Sequence, residues 1–535
     1  MMRFSCEFGV FVLKAAAATD AVRNLLGVHV GEEVRWSRID RAVKEPSEEA
    51  MRSIYGIDRS GRNYAQQMQI ARQSFNPVLE LLLSTYGQSL KVANYFLADE
   101  GSGDGRRQSE AWEWWQRNRM DGRQTGLHHS ACKYGLAYTS VLPADMYPAP
   151  TLGSQPVRGA LIGTHNPRKM TAVFSESWDM SEYPILALQH VDNGFRLYDE
   201  EYVYFFGAER KPETPEQWLE KYYTAPDNLK LIERRKHGVG VTPVVRYRDK
   251  MMTDGEESFG MVEPMIGVAD RINQTNFQEG VARMFSAFKQ RYIIGWQPKS
   301  EAEAFRQKAS DTWWFRDEKN KVGVGQFDET DLGQYVGSRQ AMEQAFAALG
   351  QMPATVMGAS AISNVSAEGL AALERSKDAQ VSELQTALGE AHEQTFRLAA
   401  FVAGDMEAAY DFGSEVVWED TSAKSLAQVI DALGKMAVML GVPVEELWPE
   451  IPGWTSQKVA RVRAARDAQF DFDPLGKFGL GEGEGVFLSP PGNPSGKKPA
   501  TPAEFGTGSP GGGKARVRNG FSQMRDGDGD GVYGE

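Results

Sequence analysis

The sequence predicts a predominantly helical α+β fold, and three observations support this class. A pattern with a 3.6-residue period runs through residues 364–405 and indicates one long amphipathic helix. Residues 158–247 instead contain short segments rich in β-branched and aromatic residues, separated by turn sequences, which indicates an antiparallel sheet. Helical patterns precede and follow this block, as expected when helices and strands are segregated along an α+β chain.

The long helix is the most regular feature of the chain. Ser366 is expected to cap its N-terminus, and Glu368 places an acid in its first turn. At 1.5 Å per residue the helix would reach about 50–60 Å. Its charged residues form either a solvated face or the lining of an acidic channel. The apolar residues expected to form one buried stripe are Leu370, Leu373, Val381, Leu384, Leu388, Leu398 and Phe401.

A short segment, residues 351–363, precedes the long helix. It is rich in Gly, Ala and Ser and shows no strand alternation. We therefore expect a projecting loop whose position the helix fixes.

Length and composition indicate a soluble globular chain with more than one folding unit. A chain of 535 residues exceeds what a single core usually supports. The net charge of −13 argues against a protein that coats nucleic acid, because such affinity comes from Lys and Arg, and is compatible with one that repels it. Cys6 and Cys132 are too few for a disulfide framework and suit a reducing cytoplasm.

The N-terminal residues resemble a signal peptide only superficially. Glu7 and Lys14 interrupt the apolar run FGVFVL, so a helix is the preferred interpretation. No run approaches the 18 apolar residues that a membrane-spanning helix needs, so we expect no membrane span.

The first half of the chain divides at recognisable signals. Residues 40–100 are predicted to be mainly helical, with a boundary or kink at Pro77. Residues 109–143 are predicted to be two helices running into a strand, and a hairpin turn is predicted at residues 192–194. The residues expected to pack the two helices are Trp112, Trp115, Leu127, Ala131 and Tyr134.

The second half alternates long helices with smaller units. A helix predicted over residues 261–296 is expected to pack against another long helix, predicted over residues 331–350. Between them lies a small α+β unit in which Trp313, Trp314 and Phe315 form either a core or a docking surface. After the long helix, the sequence predicts a strand and then helices as far as residue 469. From residue 470 the Gly, Pro, Ser and Lys composition predicts disorder.

Few residues suggest a catalytic or ligand-binding site. His128, His129 and Cys132 could bind a metal or form a Cys/His nucleophile, but no second cluster completes a site, which favours a packed helix end. The segment GNPSGKKP does not have the spacing of a phosphate-binding loop, so the sequence indicates no ATPase site. Any energy-dependent process that the protein serves would therefore use an ATPase partner. The end DGDGDGVYGE matches only the first part of a calcium loop, because the twelfth-position acid is missing. We predict no enzymatic activity and no cofactor.

Taken in order, several stretches resemble the portal proteins of tailed double-stranded DNA bacteriophages, in particular those of long-tailed phages that infect actinobacteria. The order and spacing of the stretches, which together span most of residues 60–465, carry this resemblance. They are AWEWWQRNRMDGRQTGLHHSACKYGLAYTSVLP, VTPVVRYRDKMMTDGEESFGMVEPMIGVADRINQTNFQ, KVGVGQFDETDLGQYV, PATVMGASAISNVSAEGLAALE and WEDTSAKSLAQVIDALGKMAVMLGVPVEELW.

The resemblance implies a ring, typically a dodecamer, with wing, stem, clip and crown regions around a DNA channel. The implied regions are residues 1–255 for the N-terminal region and wing, 256–291 for the first stem helix, 292–330 for the clip, 331–350 for the second stem helix, 351–363 for the tunnel loop, 364–405 for the long helix, 406–419 for a wing strand, 420–469 for the crown helices and 470–535 for a disordered tail.

The resemblance also implies a location and partners. The ring would sit at one capsid vertex of the virion, after synthesis in the host bacterial cytoplasm, and contact no membrane. Expected partners are other copies of the chain, the DNA in the channel, the large terminase subunit, a head-tail adaptor, and the major capsid and scaffold proteins. The clip residues Trp313, Trp314 and Phe315 would dock the motor. The implied tunnel-loop residues are Ala354, Thr355, Val356, Met357, Gly358, Ala359 and Ser360.

Two alternatives stay open at this point. One is a phage structural or scaffold-like protein that assembles without conducting DNA. The other is a hydrolase that uses a metal or thiol at His128, His129 and Cys132.

Overall fold

The computed structural model describes residues 15–61, 63–98, 110–146, 151–152, 155–156, 159–175, 182–192, 194–208, 229–252, 259–286, 291–294, 323–326, 332–357, 367–419, 426–448, 451, 454 and 456–471. The chain divides into two units, Met1–Arg463 and Ala464–Glu535. Within the described residues, the second unit contributes only the end of the last helix.

The helices dominate the architecture of the described residues. In chain order they are α1 (Ala15–Val43), α2 (Glu48–Tyr55), α3 (Tyr64–Ser74), α4 (Val78–Gly87), α5 (Glu110–Arg117), α6 (Met120–Tyr134), α7 (Ile266–Ser286), α8 (Gly333–Leu349), α9 (Ala367–Ala403), α10 (Met406–Ala409), α11 (Leu426–Leu440), α12 (Val444–Leu447) and α13 (Ser456–Asp471).

All strand pairs of the described residues are antiparallel. Their sheets have the strand orders β1-β14, β10-β9-β8-β7-β6, β11-β2-β5, β12-β13 and β3-β4. The strands are β1 (Val92–Phe96), β2 (Leu136–Pro143), β3 (Thr151–Leu152), β4 (Gln155–Pro156), β5 (Ala160–His165), β6 (Met170–Val173), β7 (Leu186–Val191), β8 (Gly194–Tyr198), β9 (Tyr202–Ala208), β10 (Leu229–Lys236), β11 (Val244–Arg248), β12 (Arg291–Ile294), β13 (Gly323–Gln326) and β14 (Glu415–Trp418).

Strand β2 lies between two apolar cores, which explains why seven of its eight residues are buried. Because successive side chains point to opposite faces of a strand, Ala137 and Val141 face the main core, which the helices dominate. Tyr138 and Leu142 face the opposite way and pack against the five-stranded sheet. The three-stranded sheet is therefore covered on both sides.

The five-stranded sheet is also covered on both faces. Tyr198 and Val203 pack toward β2, whereas Phe195 and Leu197 pack against α1. Helix α1 forms the outer layer because apolar residues recur along it at intervals of three and four. Those that contact the sheet are Ala18, Ala21, Val22, Leu25 and Leu26.

A partly buried ion-pair network joins α1 to α6 and to the segment between β5 and β6. Asp40 accepts hydrogen bonds from the Lys133 ammonium at 2.6 Å, the Tyr134 hydroxyl at 2.5 Å and the Arg168 guanidinium at 2.6 Å. Arg168 also donates to Glu33 at 2.6 Å. Burial alone would raise the pKa of Asp40, but the hydrogen bonds from Lys133 and Tyr134 and the nearby positive charges lower it below its ordinary value.

Several predictions are confirmed. Pro77 separates α3 from α4, and β7 and β8 form the predicted hairpin, in which Val191 pairs with Gly194. Helices α5 and α6 run into β2 as expected. The five residues predicted to pack these helices are all buried.

The structure differs from the sequence-based expectations at three places. Residues 92–96 lie in the range predicted to be mainly helical, but they form β1, which pairs with the distant β14. Residues 229–236, for which no strand is predicted, form β10 at the edge of the five-stranded sheet. Between β8 and β9, Asp199 accepts the amides of Glu201 and Tyr202 and turns the chain.

Candidate functional site

Helices α7 and α8 form an antiparallel pair. Thr275 of α7 contacts the sulfur of Met342 at 3.4 Å, and one helical turn further along α7, Glu279 contacts Arg339 at 3.2 Å. The helix predicted over residues 261–296 is wrong at its C-terminal end, because α7 ends at Ser286 and residues 291–294 form β12. Strand β12 pairs with β13, with Arg291 opposite Gln326 and Ile294 opposite Gly323.

Helix α8 ends in a hydrogen-bond pattern that turns the chain sharply. The Met352 amide donates to the Ala347 carbonyl at 2.9 Å, and the Gln351 amide donates to Ala348 at 3.3 Å. This is a Schellman motif, and Gln351 adopts the left-handed backbone conformation that the motif requires, with φ of 52°. The Tyr86 hydroxyl of α4 donates to the Gly350 carbonyl at 2.8 Å. The start of the following loop is therefore fixed to the body.

The predicted tunnel loop begins as one turn of 3-10 helix, Ala354–Met357. Within this turn, the Val356 amide donates to the Pro353 carbonyl at 3.0 Å. Val356 is 36% exposed, whereas Met357 packs against the main core. The remaining three predicted loop residues, Gly358, Ala359 and Ser360, lie outside the described residues.

Helix α9 begins near the predicted residue and is 37 residues long, which corresponds to about 55 Å. Val381, Leu384, Leu388 and Leu398 of the predicted stripe are buried, and Phe401 is partly buried. The side chains of Leu370 and Leu373 lie outside what is described. The expectation of one buried stripe was wrong from residue 380 onward, where polar positions are also buried, because sheets and helices surround this part of the helix. These positions include Gln380, His392 and Thr395.

His392 and Thr395 belong to a buried polar chain that sequence reasoning missed. His392 Nε2 lies 2.7 Å from His128 Nε2 of α6, and its Nδ1 lies 3.0 Å from the Tyr247 hydroxyl of β11. Tyr247 in turn contacts Thr395 at 2.7 Å. The only signal in the sequence is that His392 and Thr395 are spaced one turn from Leu388 and Leu398, among charged residues that suggested a solvated face.

The candidate metal or thiol site is not assembled. His128 and Cys132 are buried, while His129 turns toward Glu80, 3.8 Å from its carboxylate. Burial raises the pKa of the Cys132 thiol to about 12, so the thiol stays protonated at neutral pH. Across the part of the chain that is described, no three His, Cys, Asp or Glu side chains are grouped to hold a metal ion.

The predicted docking residues Trp313, Trp314 and Phe315 lie outside the described residues, as does the DGDGDG end. A search of the described helices finds none with the length and apolar character needed to cross a membrane.

Comparison with known families decides the identity. The family model described as "Phage portal protein, SPP1 Gp6-like" matches residues 98–469, which is more than half of the chain. The chain belongs to this phage portal family. As a portal protein it is a virion component of the bacteriophage head-tail connector. The family is structural rather than enzymatic.

Among curated proteins, none matches the sequence of this portal protein. Among solved structures, it is similar to a chain of the neck of an empty GTA particle computed with C6 symmetry. The two are 12% identical with a TM-score of 0.41, over 73% of this chain and 94% of that chain.

Proposed function

We propose that this portal protein assembles into a dodecameric ring at one capsid vertex and serves as the conduit for double-stranded DNA during packaging and ejection. The observation that carries the proposal is the match of residues 98–469 to the portal family. In this proposal the ring also serves as the docking platform for the terminase motor and, later, for head-tail adaptor proteins. It contacts the major capsid and scaffold proteins at the vertex.

Each proposed region corresponds to elements described above. The sheets and helices before residue 255, together with β14, form the wing, and α7 and α8 are the stem helices. The unit between them, residues 292–330, is the clip, and the helices from α11 onward form the crown. The antiparallel contacts between α7 and α8 support the stem assignment, because the two helices contact each other on successive turns.

The loop between α8 and α9 is proposed to form the constriction around DNA, with Thr355, Val356, Met357 and Ser360 closest to it. The Schellman motif and the Tyr86 contact support this role, since they hold the base of the loop while Val356 stays exposed. An acidic channel, with which the net charge of −13 is compatible, would favour sliding, because repulsion from phosphates prevents tight neutralised contacts.

The ring is tested first. Electron-microscope class averages of the purified full-length protein, with native mass to count subunits, should show rings with a central hole and about a dozen copies. A structural protein that does not conduct DNA would give rings without a hole or no rings. A compact monomer, both alone and with capsid proteins present, would contradict the proposal.

The constriction is tested separately. Deletion of residues 358–360 combined with Val356→Gly leaves the packed base of the loop in place, and it should impair DNA packaging or retention in heads whose rings are intact. Ile232→Ser, a change at an exposed apolar residue of β10, is the matched control and should leave filled heads unchanged. Normal filled heads with the loop variant would refute the constriction.

Motor docking is tested with Trp313→Ala combined with Trp314→Ala. Weaker binding of the terminase or adaptor is expected, because aromatic residues are frequent at interface hot spots. Circular dichroism and ring formation check that the variant is folded. Unchanged binding by a folded variant would refute the docking role.

A further inference from the structure

The buried polar chain in the main core has a defined direction. His128, His392 and Tyr247 are each 0% exposed. His128 Nδ1 lies 3.0 Å from the carbonyl oxygen of Leu90, which can only accept, so Nδ1 carries the hydrogen. In the neutral ring Nε2 is then an acceptor, and it receives the Nε2 hydrogen of His392 at 2.7 Å.

The direction continues through β11 and back to α9. With its Nε2 protonated, neutral His392 accepts the Tyr247 hydroxyl at Nδ1, 3.0 Å away. The Thr395 hydroxyl lies 2.7 Å from the Tyr247 oxygen and 2.9 Å from the Thr139 hydroxyl of β2, and it donates to the Ala391 carbonyl of its own helix at 2.9 Å. The hydrogen bonds from Tyr247 to His392, from His392 to His128 and from His128 to Leu90 are all satisfied when both imidazoles are neutral. The chain joins α9 to α6, β11 and β2.

A proton added to this chain has no partner charge. Rotation of the Tyr247 hydroxyl could accept a new hydrogen on His392, but the positive charge would remain buried. The rings that surround the pair are apolar: Trp115 of α5 lies 5.2 Å from His392, and Trp418 of β14 lies 5.5 Å from His128. Burial of an unpaired charge is costly, so protonation favours states in which water reaches the pair.

The titratable groups on the surrounding elements have other partners or cannot compensate. Glu393, adjacent to His392, is turned away and accepts the Val416 amide at 3.2 Å. Asp121 of α6 accepts the Trp115 indole at 3.0 Å. His129 faces Glu80, and Lys133 pairs with Asp40. Cys132 and Tyr247 are neutral at physiological pH, because burial raises the pKa of both. Asp249 is also buried, and it is close enough to Cys132 to raise the pKa of that thiol.

We propose that His128 and His392 form an acid-sensitive latch: the pair holds the second half of α9 against the wing body while both rings are neutral, and a proton on either ring releases it. Burial lowers the pKa of both rings, that of His128 to about 4. The latch is therefore closed at neutral pH and opens as the pH falls below the ordinary histidine range. It does not depend on the proposed DNA channel.

Hydrogen exchange followed by mass spectrometry tests the latch in the full-length protein. From pH 7.5 to pH 5.0, after correction for the intrinsic exchange rate, protection of amides 384–399 should fall by about tenfold or more. Protection of α3 should change less, because its described contacts are with α2 and α7 and involve no histidine. Equal loss of protection in both regions, or no loss in α9, would overturn the proposal.

Variants distinguish the effect of the His128–His392 pair on α9 protection from the effect of other buried histidines. His392→Gln keeps an amide donor toward His128 and a carbonyl acceptor toward Tyr247 but cannot titrate. Only His128 then takes up a proton, so the fall in α9 protection over the same pH range should be about half as large on a logarithmic scale. The control is His237→Gln, because His237 contacts Asp199 and Val239 and lies outside the pair. The pH dependence of α9 protection in this variant should equal that of the wild type. If His392→Gln does not fold, His128→Asn, which keeps the donor to Leu90, replaces it. Unchanged pH dependence in a folded variant of the pair would overturn the latch.

Discussion

Glu279 and Arg339 join the two long helices α7 and α8. The Glu279 side chain is only 5% exposed, and its carboxylate accepts hydrogen bonds from Arg339 across the pair, at 3.2 Å, and from Arg283 on its own helix. Arg339 is also 3.8 Å from Glu343. One buried carboxylate thus depends on a guanidinium from the other helix.

Replacement of Arg339 by Met should destabilise the helix pair, because Glu279 loses its partner across the interface. We expect a loss of about 1–3 kcal/mol, measured by urea unfolding with a probe on α7 or α8. The matched control is Arg283→Met, whose side chain is 67% exposed and should contribute below about 1 kcal/mol. Equal effects of the two changes would show that the pair does not depend on Arg339.

Asp40→Asn should be among the most damaging polar substitutions where α1 packs against α6. Lys133 is 7% exposed and would be left as a buried cation without its carboxylate, which costs about 3–5 kcal/mol. Thermal unfolding at pH 7.5 measures the effect. Glu33→Gln, which leaves Arg168 paired with Asp40, is the control and should cost about 1 kcal/mol. A variant at Asp40 as stable as the control would contradict the buried network.

Stability should fall steadily as the pH is lowered from about 6.5 to 4. Burial is the largest cause of a lowered pKa for all seven histidines, and it brings three of them, His29, His128 and His165, to about 4. Because the unfolded chain then binds protons at a higher pH than the folded one, their contribution is complete above pH 6.5. It is lost as the pH falls toward the folded values.

Each proton bound only by the unfolded chain lowers stability by about 1.4 kcal/mol per pH unit within this window. The midpoint of thermal unfolding between pH 7.5 and 4.5 measures the slope. A midpoint that stays constant from pH 7 to 5 would show that the histidines are accessible in the folded protein.

Gln351→Gly should stabilise the junction between α8 and the loop. Gln351 has a φ of 52°, a conformation that costs a residue with a side chain about 1–2 kcal/mol and that glycine adopts freely. We expect a net gain of about 1 kcal/mol after the added freedom of the unfolded chain is counted. Gln351→Ala should be near neutral and Gln351→Val destabilising. Equal thermal midpoints for the Gly and Val variants would be inconsistent with the Schellman geometry.

Cys132 should be unreactive in the native protein. Its thiol is buried and its pKa is raised to about 12, so little thiolate forms at pH 8. Peptide mapping after treatment with iodoacetamide should find Cys132 modified only when urea is present. Rapid native modification, or metal bound in stoichiometric amount by the purified protein, would revive a thiol or metal enzyme.

Local patterns in the sequence were sufficient for most elements near this site. The period of residues 364–405 predicted α9, and Pro77 predicted the break between α3 and α4, because both signals depend only on neighbouring residues. The order of such elements also supported the portal resemblance that the family match confirms. An irregular loop was expected over residues 351–363, but Ala354–Met357 form a 3-10 turn, and the packing of Met357 against the main core is a contact that no local pattern records.

The sequence by itself therefore determined which segments are helical, most of the strands and the portal family. Only the tertiary structure decided that β1 pairs with β14, that Asp40 gathers three donors, and that His392 is buried against His128. These contacts join residues separated by up to about three hundred positions, and a polar residue in a helix has the same local pattern whether water or another side chain surrounds it. The packing of distant elements decides which of the two occurs, and no local period records that packing.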